Sequence, residues 1–128
     1  MVDTSILIDH LRGDARARQL LQRTTTRRER LIASVLTRAE VLAGSHAREL
    51  DATRTLLATL EWIPVDVTIA DRAGELANRY LSSHPGIDTV DYVIAATSQV
   101  LGARLYTLNR KHFPMLDDLP HPYAEATA

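Results

Sequence analysis

Three carboxylates stand where short apolar segments give way to helical patterns. Asp3 closes the first segment, Glu40 follows the apolar run 31–34, and Asp91 follows Asp88 at the start of a helical pattern. Near a helix amino terminus, the positive end of the helix dipole favours an ionised carboxylate. If these helix ends converge, their negative charges repel one another unless a cation is present. Oxygen ligands of this kind favour a hard divalent ion, Mg²⁺ or Mn²⁺. The three acids therefore form a candidate metal site.

Each acid also has a purely structural interpretation. Asp3 could be a turn residue or the cap of the following helix. The spacing Thr37-x-x-Glu40 fits a capping box, in which the Glu40 side chain binds a backbone N–H. Asp88 and Asp91 have the same spacing. Spacing alone leaves both interpretations open for each residue.

The elements that must position these acids alternate between short strands and longer helices. Thr4 or Ser5 is expected to cap a first helix that carries Leu11. Only two residues precede Asp3, so we expect either a very short first strand or a true start upstream of Met1. Strands are predicted at 1–3, 31–34, 62–65 and 104–107, and helices at 15–22, 37–43, 48–60, 68–83 and 89–101.

This alternation predicts an α/β fold with a short central parallel sheet that is flanked by helices on both faces. Ligands of such sheets bind beyond the carboxyl ends of the strands, near the point where strand order reverses. The residues just after the strands are therefore the ones that we expect to meet.

The composition is that of one ordinary globular domain spanning 1–128. Of the 128 residues, 45% are apolar and 24% are charged, and a chain of this length buries about two-thirds of its unfolded surface. The net charge of −1 excludes an overall basic field, and the absence of cysteine excludes disulfides and thiolate chemistry. No apolar run reaches the roughly 18 residues of a membrane span, so we expect a cytoplasmic protein with no membrane partner.

Positive charge is nevertheless concentrated in one segment. Between Arg12 and Arg30 the chain carries mostly arginine among its charged residues, against the acids Asp14 and Glu29. The segment is either a solvated helix face or a rim that contacts the backbone of a phosphate polymer.

Four sequence motifs occur in a fixed order around the candidate acids. Residues 3–9 read DTSILID, residues 34–44 read SVLTRAEVLAG, residues 91–97 read DYVIAAT, and residues 105–113 read LYTLNRKHF. Together they resemble the PIN-domain nucleases, and most closely the VapC toxins of bacterial toxin–antitoxin pairs. The resemblance spans almost the whole chain.

This resemblance implies a doubly wound PIN-like domain that hydrolyses RNA phosphodiesters with Mg²⁺ or Mn²⁺. It implies that Asp3 and Asp91 hold the metal and that Glu40 joins them or, through a water, helps to deprotonate the nucleophile. The fourth position, usually acidic in the family, is Asn109 here, which lowers the negative charge and puts a second metal in doubt. Asp88 could supply the missing charge.

Further roles follow from the same resemblance. Thr4 or Ser5 is expected to orient a carboxylate or the scissile phosphate. Arg110 and Lys111 are candidates for contacting the RNA backbone, with a solvent-facing role as the alternative. A toxin of this kind also implies a small VapB-like antitoxin and a homodimer, with helices of the amino-terminal half at the contact.

Two other functions remain open from sequence. A phosphotransfer module or phosphatase also places an aspartate after its first strand, but it needs a nearby second acid and a lysine after a late strand, and the chain's only lysine is Lys111. A purely binding role is kept open by Asn109. The sequence has no glycine-rich nucleotide loop, no His-x-x-x-His pair and no Gly-x-Ser-x-Gly elbow. His112 is expected to be a surface or structural histidine.

Overall fold

The fold consists mainly of helices around a small sheet. A computed structural model of the chain describes residues 1–117 and 119–124. Its helices are α1 (Thr4–Leu11), α2 (Ala15–Thr26), α3 (Val35–Ala43), α4 (Leu50–Leu57), α5 (Val67–Tyr80) and α6 (Thr89–Leu101), its strands are β1 (Ile32–Ser34) and β2 (Glu61–Ile63), and short 3₁₀ turns cover Ala47–Glu49 and Arg110–His112. Within the described residues, no helix is both long and apolar enough to cross a membrane.

Parallel extended segments form the centre of the molecule. β1 pairs with β2 in parallel, with Ile32 opposite Glu61. On the other side of β1, the Val2 N–H donates to the Ile32 carbonyl oxygen at 3.0 Å, and Val2 forms an isolated parallel bridge with Tyr106. The spatial order is therefore Tyr106, Val2, β1, β2. Strand order reverses between the Val2 and Tyr106 segments, which is where ligands bind in open parallel sheets.

Alternation along these segments sends neighbouring side chains to opposite faces of the sheet. Met1 and Ile32 pack with the buried face of α5 and α6, in a core that contains Ile69, Leu76 and Ile94. Val2 and Ala33 pack with α1, α2 and α4, in a second core that contains the side chains Ile6, Leu20 and Leu57. The prediction of helices on both faces of a short parallel sheet is confirmed.

Several predicted boundaries are wrong for identifiable reasons. α2 continues past residue 22 to Thr26, because Thr24 is buried and its hydroxyl donates to the Leu20 carbonyl oxygen. Asp3, rather than Thr4 or Ser5, caps α1. The segment 104–107 is reduced to the bridge at Tyr106. The predicted strand 1–3 is likewise reduced to the bridge at Val2.

α6 begins and ends where its sequence indicates. It spans Thr89–Leu101 as predicted, with Asp88 as its amino-terminal cap. Gly102 ends it in the left-handed conformation, with φ 61°. Glycine adopts this conformation without the steric penalty of a Cβ atom, so the helix stops at a fixed point. This fixes where the chain turns back toward the Tyr106 segment.

The capping aspartate of α5 provides a test of how the helices that support the sheet are stabilised. The Asp66 Oδ1 atom accepts a hydrogen bond from the Ile69 N–H at 2.9 Å. We expect Asp66→Ala to lower the free energy of unfolding by about 1 kcal/mol, because the N–H loses its partner. Urea unfolding followed by circular dichroism measures this change. Asp71→Ala, at an exposed position of the same helix, is the control and should change stability by less than about 0.5 kcal/mol; equal losses would contradict the assignment.

Candidate active site

A cavity of about 350 Å³ lies where strand order reverses, beyond the carboxyl ends of the Val2 and Tyr106 segments. It is lined by the predicted residues Asp3, Thr4, Ser5, Glu40, Asp91 and Asn109. Asp9, Arg12 and Thr37, which the sequence analysis did not place at the site, also line it. The cavity therefore brings together acids that are far apart in the chain.

Asp3 is the most buried acid of the site, with 8% of its surface exposed. Its Oδ1 atom accepts hydrogen bonds from the Ser5 N–H and the Ser5 hydroxyl, and its Oδ2 atom accepts one from the Thr107 hydroxyl. Burial raises the pKa of Asp3 above its ordinary value of 3.8, and these hydrogen bonds oppose the rise. Asp3 thus caps α1 and lines the cavity at once, so its two sequence interpretations do not exclude each other.

Thr107 and Ser5 join the two loops that border the point of reversal. The Thr107 oxygen accepts from the Asn109 N–H at 3.0 Å, and the Ser5 oxygen accepts from the Leu108 N–H at 3.0 Å. Each hydroxyl therefore accepts a hydrogen bond from a backbone N–H of the loop after Tyr106 and donates one to the Asp3 carboxylate. The sequence analysis missed Thr107, although its place at the end of the predicted segment 104–107 was a usable signal.

Glu40 reaches the cavity from the second turn of α3. The helix begins at Val35 and is capped by Ser34, whose oxygen accepts from the Leu36 N–H at 3.2 Å. The capping-box interpretation of Thr37 and Glu40 is therefore wrong, and Glu40 lies farther from the amino terminus of the helix than the predicted start at residue 37 implied. Instead, the Thr4 hydroxyl donates to Glu40 Oε1 at 2.7 Å.

Thr37 is buried at the wall of the cavity. Within the described part of the chain, its hydroxyl oxygen has no hydrogen-bond partner. A buried hydroxyl without a partner is energetically unfavourable. The Thr37 hydroxyl is therefore free to hydrogen-bond to a molecule or water in the cavity.

Asp91 combines a structural and a site position. Its N–H donates to Asp88 Oδ1 at 3.0 Å, and the Asp88 N–H donates to Asp91 Oδ2 at 3.4 Å, which is a capping box. The pKa of Asp91 is raised above its ordinary value, mainly because the carboxyl is partly buried. The hydrogen bond from the Asp88 N–H and the nearby His112 oppose this rise, whereas the Asp88 charge adds to it. The His112 Nδ1 atom lies 3.3 Å from Asp91 Oδ2, so this exposed histidine touches the site. Asp88 is exposed and does not line the cavity.

The donor set fits a hard divalent cation in its chemistry. Asp3, Glu40, Asp91 and the Asn109 side chain offer oxygen ligands, and burial disfavours the ionised forms of Asp3 and Asp91. Over residues 1–117 and 119–124, however, no three Asp, Glu or His side chains converge closely enough to hold one ion. Coordination would therefore require the carboxylates to move toward one another from their present hydroxyl and histidine partners.

Most of the arginine-rich segment does not reach the cavity. Arg12 lines it, whereas Arg16 pairs with Asp14 at 2.8 Å and Arg30 pairs with Glu61. Arg18 lines a separate cavity of about 710 Å³ between α2 and α4, whose described lining contains no acid. Among the arginines of this segment, Arg12 is the one in the described lining of the cavity, and both interpretations of the others stay predictions.

The structure provides only some of the residues that the phosphotransfer alternative requires. Asp9 provides a second acid at the cavity. Lys111 lines a neighbouring groove instead and is absent from the cavity lining. The basic partner that such chemistry needs beside Asp3 is therefore not supplied by the chain's lysine.

The hydroxyl of Thr107 gives a pH-dependent prediction. Because the pKa of Asp3 lies above 3.8 in the fold, its ionisation lowers stability as pH rises from that value through the folded pKa. Thr107→Val removes a donor to the ionised form, so we expect a further loss of about 1–3 kcal/mol at neutral pH and a smaller loss in acid. Urea unfolding at both pH values measures it. Thr24→Val, at another buried threonine, should give a loss that does not change with pH; a pH-independent loss at Thr107 would contradict the role.

Comparison with known proteins identifies the family. The PIN domain family description matches residues 1–118. Ribonuclease VapC19 of Mycobacterium tuberculosis is 47% identical over 123 residues, which are 96% of this chain and 98% of that protein. A toxin-antitoxin complex from Klebsiella pneumoniae matches with a TM-score of 0.77 at 29% identity, covering 95% of this chain and 96% of that one. VapBC-1 from nontypeable Haemophilus influenzae matches with a TM-score of 0.74 at 28% identity, covering 93% and 92%. The chain therefore belongs to the PIN domain family and to its VapC group, as its acidic motifs predicted.

Proposed function

We propose that this protein is a Mg²⁺- or Mn²⁺-dependent endoribonuclease, the toxin of a toxin–antitoxin pair. The observation that carries the proposal is that Asp3, Glu40 and Asp91 all line one cavity where strand order reverses. The name of the relative from Mycobacterium tuberculosis, a ribonuclease, supports the activity. The solved toxin–antitoxin complexes support the toxin role.

The residues of the cavity divide into ligands and positioning groups. Asp3 and Asp91 would hold the cation, and Glu40 would either join them or take a proton, through a water, from the attacking nucleophile. When bound, such an ion acidifies water and offsets the charge that develops on the phosphate oxygens. Ser5 and Thr107 keep the Asp3 carboxylate in one orientation through their hydrogen bonds.

Asn109 sets the charge of the site. It lines the cavity with an amide where relatives usually carry an acid, so it contributes a carbonyl oxygen and no negative charge. We propose that this composition suits one divalent ion better than two, because each additional cation requires further negative ligands. Thr4 would hold Glu40 in reach of the cavity through its 2.7 Å hydrogen bond.

Loss of one carboxylate tests the activity directly. We expect Asp91→Asn to lower Mg²⁺-dependent cleavage of single-stranded RNA by about 100-fold or more, because loss of outer-shell partners alone costs up to about 100-fold. Asp88→Asn is the matched control, since asparagine still caps α6 and residue 88 does not line the cavity. Gel analysis of labelled RNA gives both rates.

The same assay separates the competing functions. Undiminished cleavage by Asp91→Asn would remove this residue from the mechanism. RNA binding without cleavage in Mg²⁺ or Mn²⁺ would indicate a binding module, and release of phosphate from a small phosphomonoester in place of RNA cleavage would indicate a phosphatase.

Metal binding has a readout that does not depend on RNA. Mg²⁺ or Mn²⁺ at about 100 times its Kd should stabilise the protein by about 2.7 kcal/mol, a rise in Tm of about 10 °C. In EDTA at neutral pH we expect Asp3→Asn to raise Tm, because burial raises the pKa of Asp3 and the neutral amide avoids that ionisation. The variant should then lose most of the metal-dependent rise; a full rise would exclude Asp3 as a ligand.

The proposed function carries partners with it. We propose a VapB-like antitoxin, by the likeness to the solved toxin–antitoxin complexes, and RNA as the substrate, which implies a cytoplasmic site of action. A homodimer is proposed on the family resemblance. Co-expression with a neighbouring small reading frame, followed by size measurement of the purified complex in solution, tests the antitoxin and the dimer together.

A further inference from the structure

A second concave surface adjoins the candidate active site. This groove, of about 600 Å³, shares Leu108 and Asn109 with the catalytic cavity. The other described residues that line it are Arg110, Lys111, His112, His121 and Pro122. We call it the cationic groove. Any polymer bound with one phosphodiester in the cavity must extend beyond it, and the shared edge at Leu108 and Asn109 leads into this groove.

The cationic groove concentrates positive charge in a protein whose net charge is −1. Arg110 and Lys111 are exposed and adjacent, His112 and His121 add imidazole donors, and the described lining of the groove, which excludes residues 118 and 125–128, contains no acid. In the described parts of the chain, neither Arg110 nor Lys111 forms a salt bridge. Positive charge without an internal partner is available to an anionic ligand.

One wall of the groove is a carboxy-terminal segment that is fixed in place. Tyr123 is 7% exposed and packs in the core formed with α1, α2 and α4. Its hydroxyl donates to Asp9 Oδ2 at 2.8 Å, and the Arg16 guanidinium carbon lies 4.7 Å from the centre of its ring. Because Asp9 lines the catalytic cavity, the segment is anchored to the wall of the site itself.

The same segment orients a hydrogen-bond donor. The Tyr123 N–H donates to His121 Nδ1 at 3.4 Å. The neutral imidazole then carries its proton on Nε2, which leaves that N–H for a partner outside the segment. His121 is exposed and lines the groove, so this N–H can donate to solvent or to a molecule bound in the groove.

We propose that the cationic groove binds the sugar–phosphate backbone of single-stranded RNA on one side of the cleaved phosphodiester. Arg110 and Lys111 contact phosphates from one wall, and His121 donates to the backbone from the segment that Tyr123 anchors. The proposal rests on the proposed function and adds the carboxy-terminal segment as a substrate-binding element. RNA is favoured over an acidic peptide because the groove adjoins the cavity at Leu108 and Asn109, where a bound substrate must extend beyond the cleaved phosphodiester.

The test uses the salt dependence of RNA binding. The full chain with Asp91→Asn, in EDTA, is titrated with fluorescent single-stranded RNA at several salt concentrations, and log K is plotted against log of the salt concentration. We expect Arg110→Ala and Lys111→Ala each to weaken binding and to reduce the slope by about 0.7, as loss of one phosphate contact requires. His121→Ala should weaken binding without changing the slope, because a neutral donor displaces no counterion.

Arg104→Ala is the matched control. It removes one exposed positive charge at the amino end of the Tyr106 segment, whereas the groove lies beyond the carboxyl end of that segment. Its affinity and slope should equal those of the parent protein. If RNA binds but Lys111→Ala and Arg110→Ala match Arg104→Ala, the groove proposal is wrong and the ribonuclease proposal stands. If the unsubstituted chain neither binds nor cleaves RNA, both proposals fail. If Arg110→Ala and Lys111→Ala weaken binding of the antitoxin but not of RNA, the groove binds a protein partner and the RNA proposal is wrong.

Discussion

The Asp3 carboxylate lies at the point where strand order reverses, and it is largely withdrawn from water. An ionised carboxylate in such a place is stable only if donors surround it. The hydroxyls of Ser5 and Thr107 act as those donors, and each is itself bonded to a backbone N–H of the loop after Tyr106. Hydrogen bonds to the Asp3 carboxylate therefore connect the two loops that border the cavity. The remaining residues of the site are arranged around this carboxylate.

The same acids stabilise helices and form the site, which explains why the fold tolerates them together. Asp3 caps α1, and Asp91 completes a capping box with Asp88 on α6. Backbone N–H groups at these helix ends partly compensate the negative charge. The compensation is incomplete, because burial still raises the pKa values of Asp3 and Asp91. Because ionising these two carboxylates remains unfavourable, a bound cation would stabilise the site. Without a cation, the same carboxylates lower the stability of the fold.

Sequence reasoning succeeded where a local pattern determines the structure. Gly102 and Asp88 delimit α6, and the acids that follow strands meet at one edge because parallel strands end there. It failed where a distant neighbour decides. Thr37 matched a cap pattern, but Ser34 starts the helix at the end of a buried strand. The burial of Tyr123 depends on Asp9, which is 114 residues away, so no local pattern in a polar tail could indicate it.

Charge in this protein is separated by sign over short distances, although the total is close to zero. An acidic cavity alone repels a phosphodiester, so cleavage of RNA there depends on a cation at the carboxylates and on attraction from adjacent surface. Screening limits electrostatic attraction to roughly 8 Å at physiological ionic strength, so the arginines of α2 that lie away from the cavity cannot replace a neighbouring cationic surface. The groove at Arg110 and Lys111 shares its edge with the cavity, at Leu108 and Asn109. Asn109, which is neutral, therefore lies between surfaces of opposite sign. Its lack of charge reduces the repulsion that a phosphate passing from one surface to the other would meet.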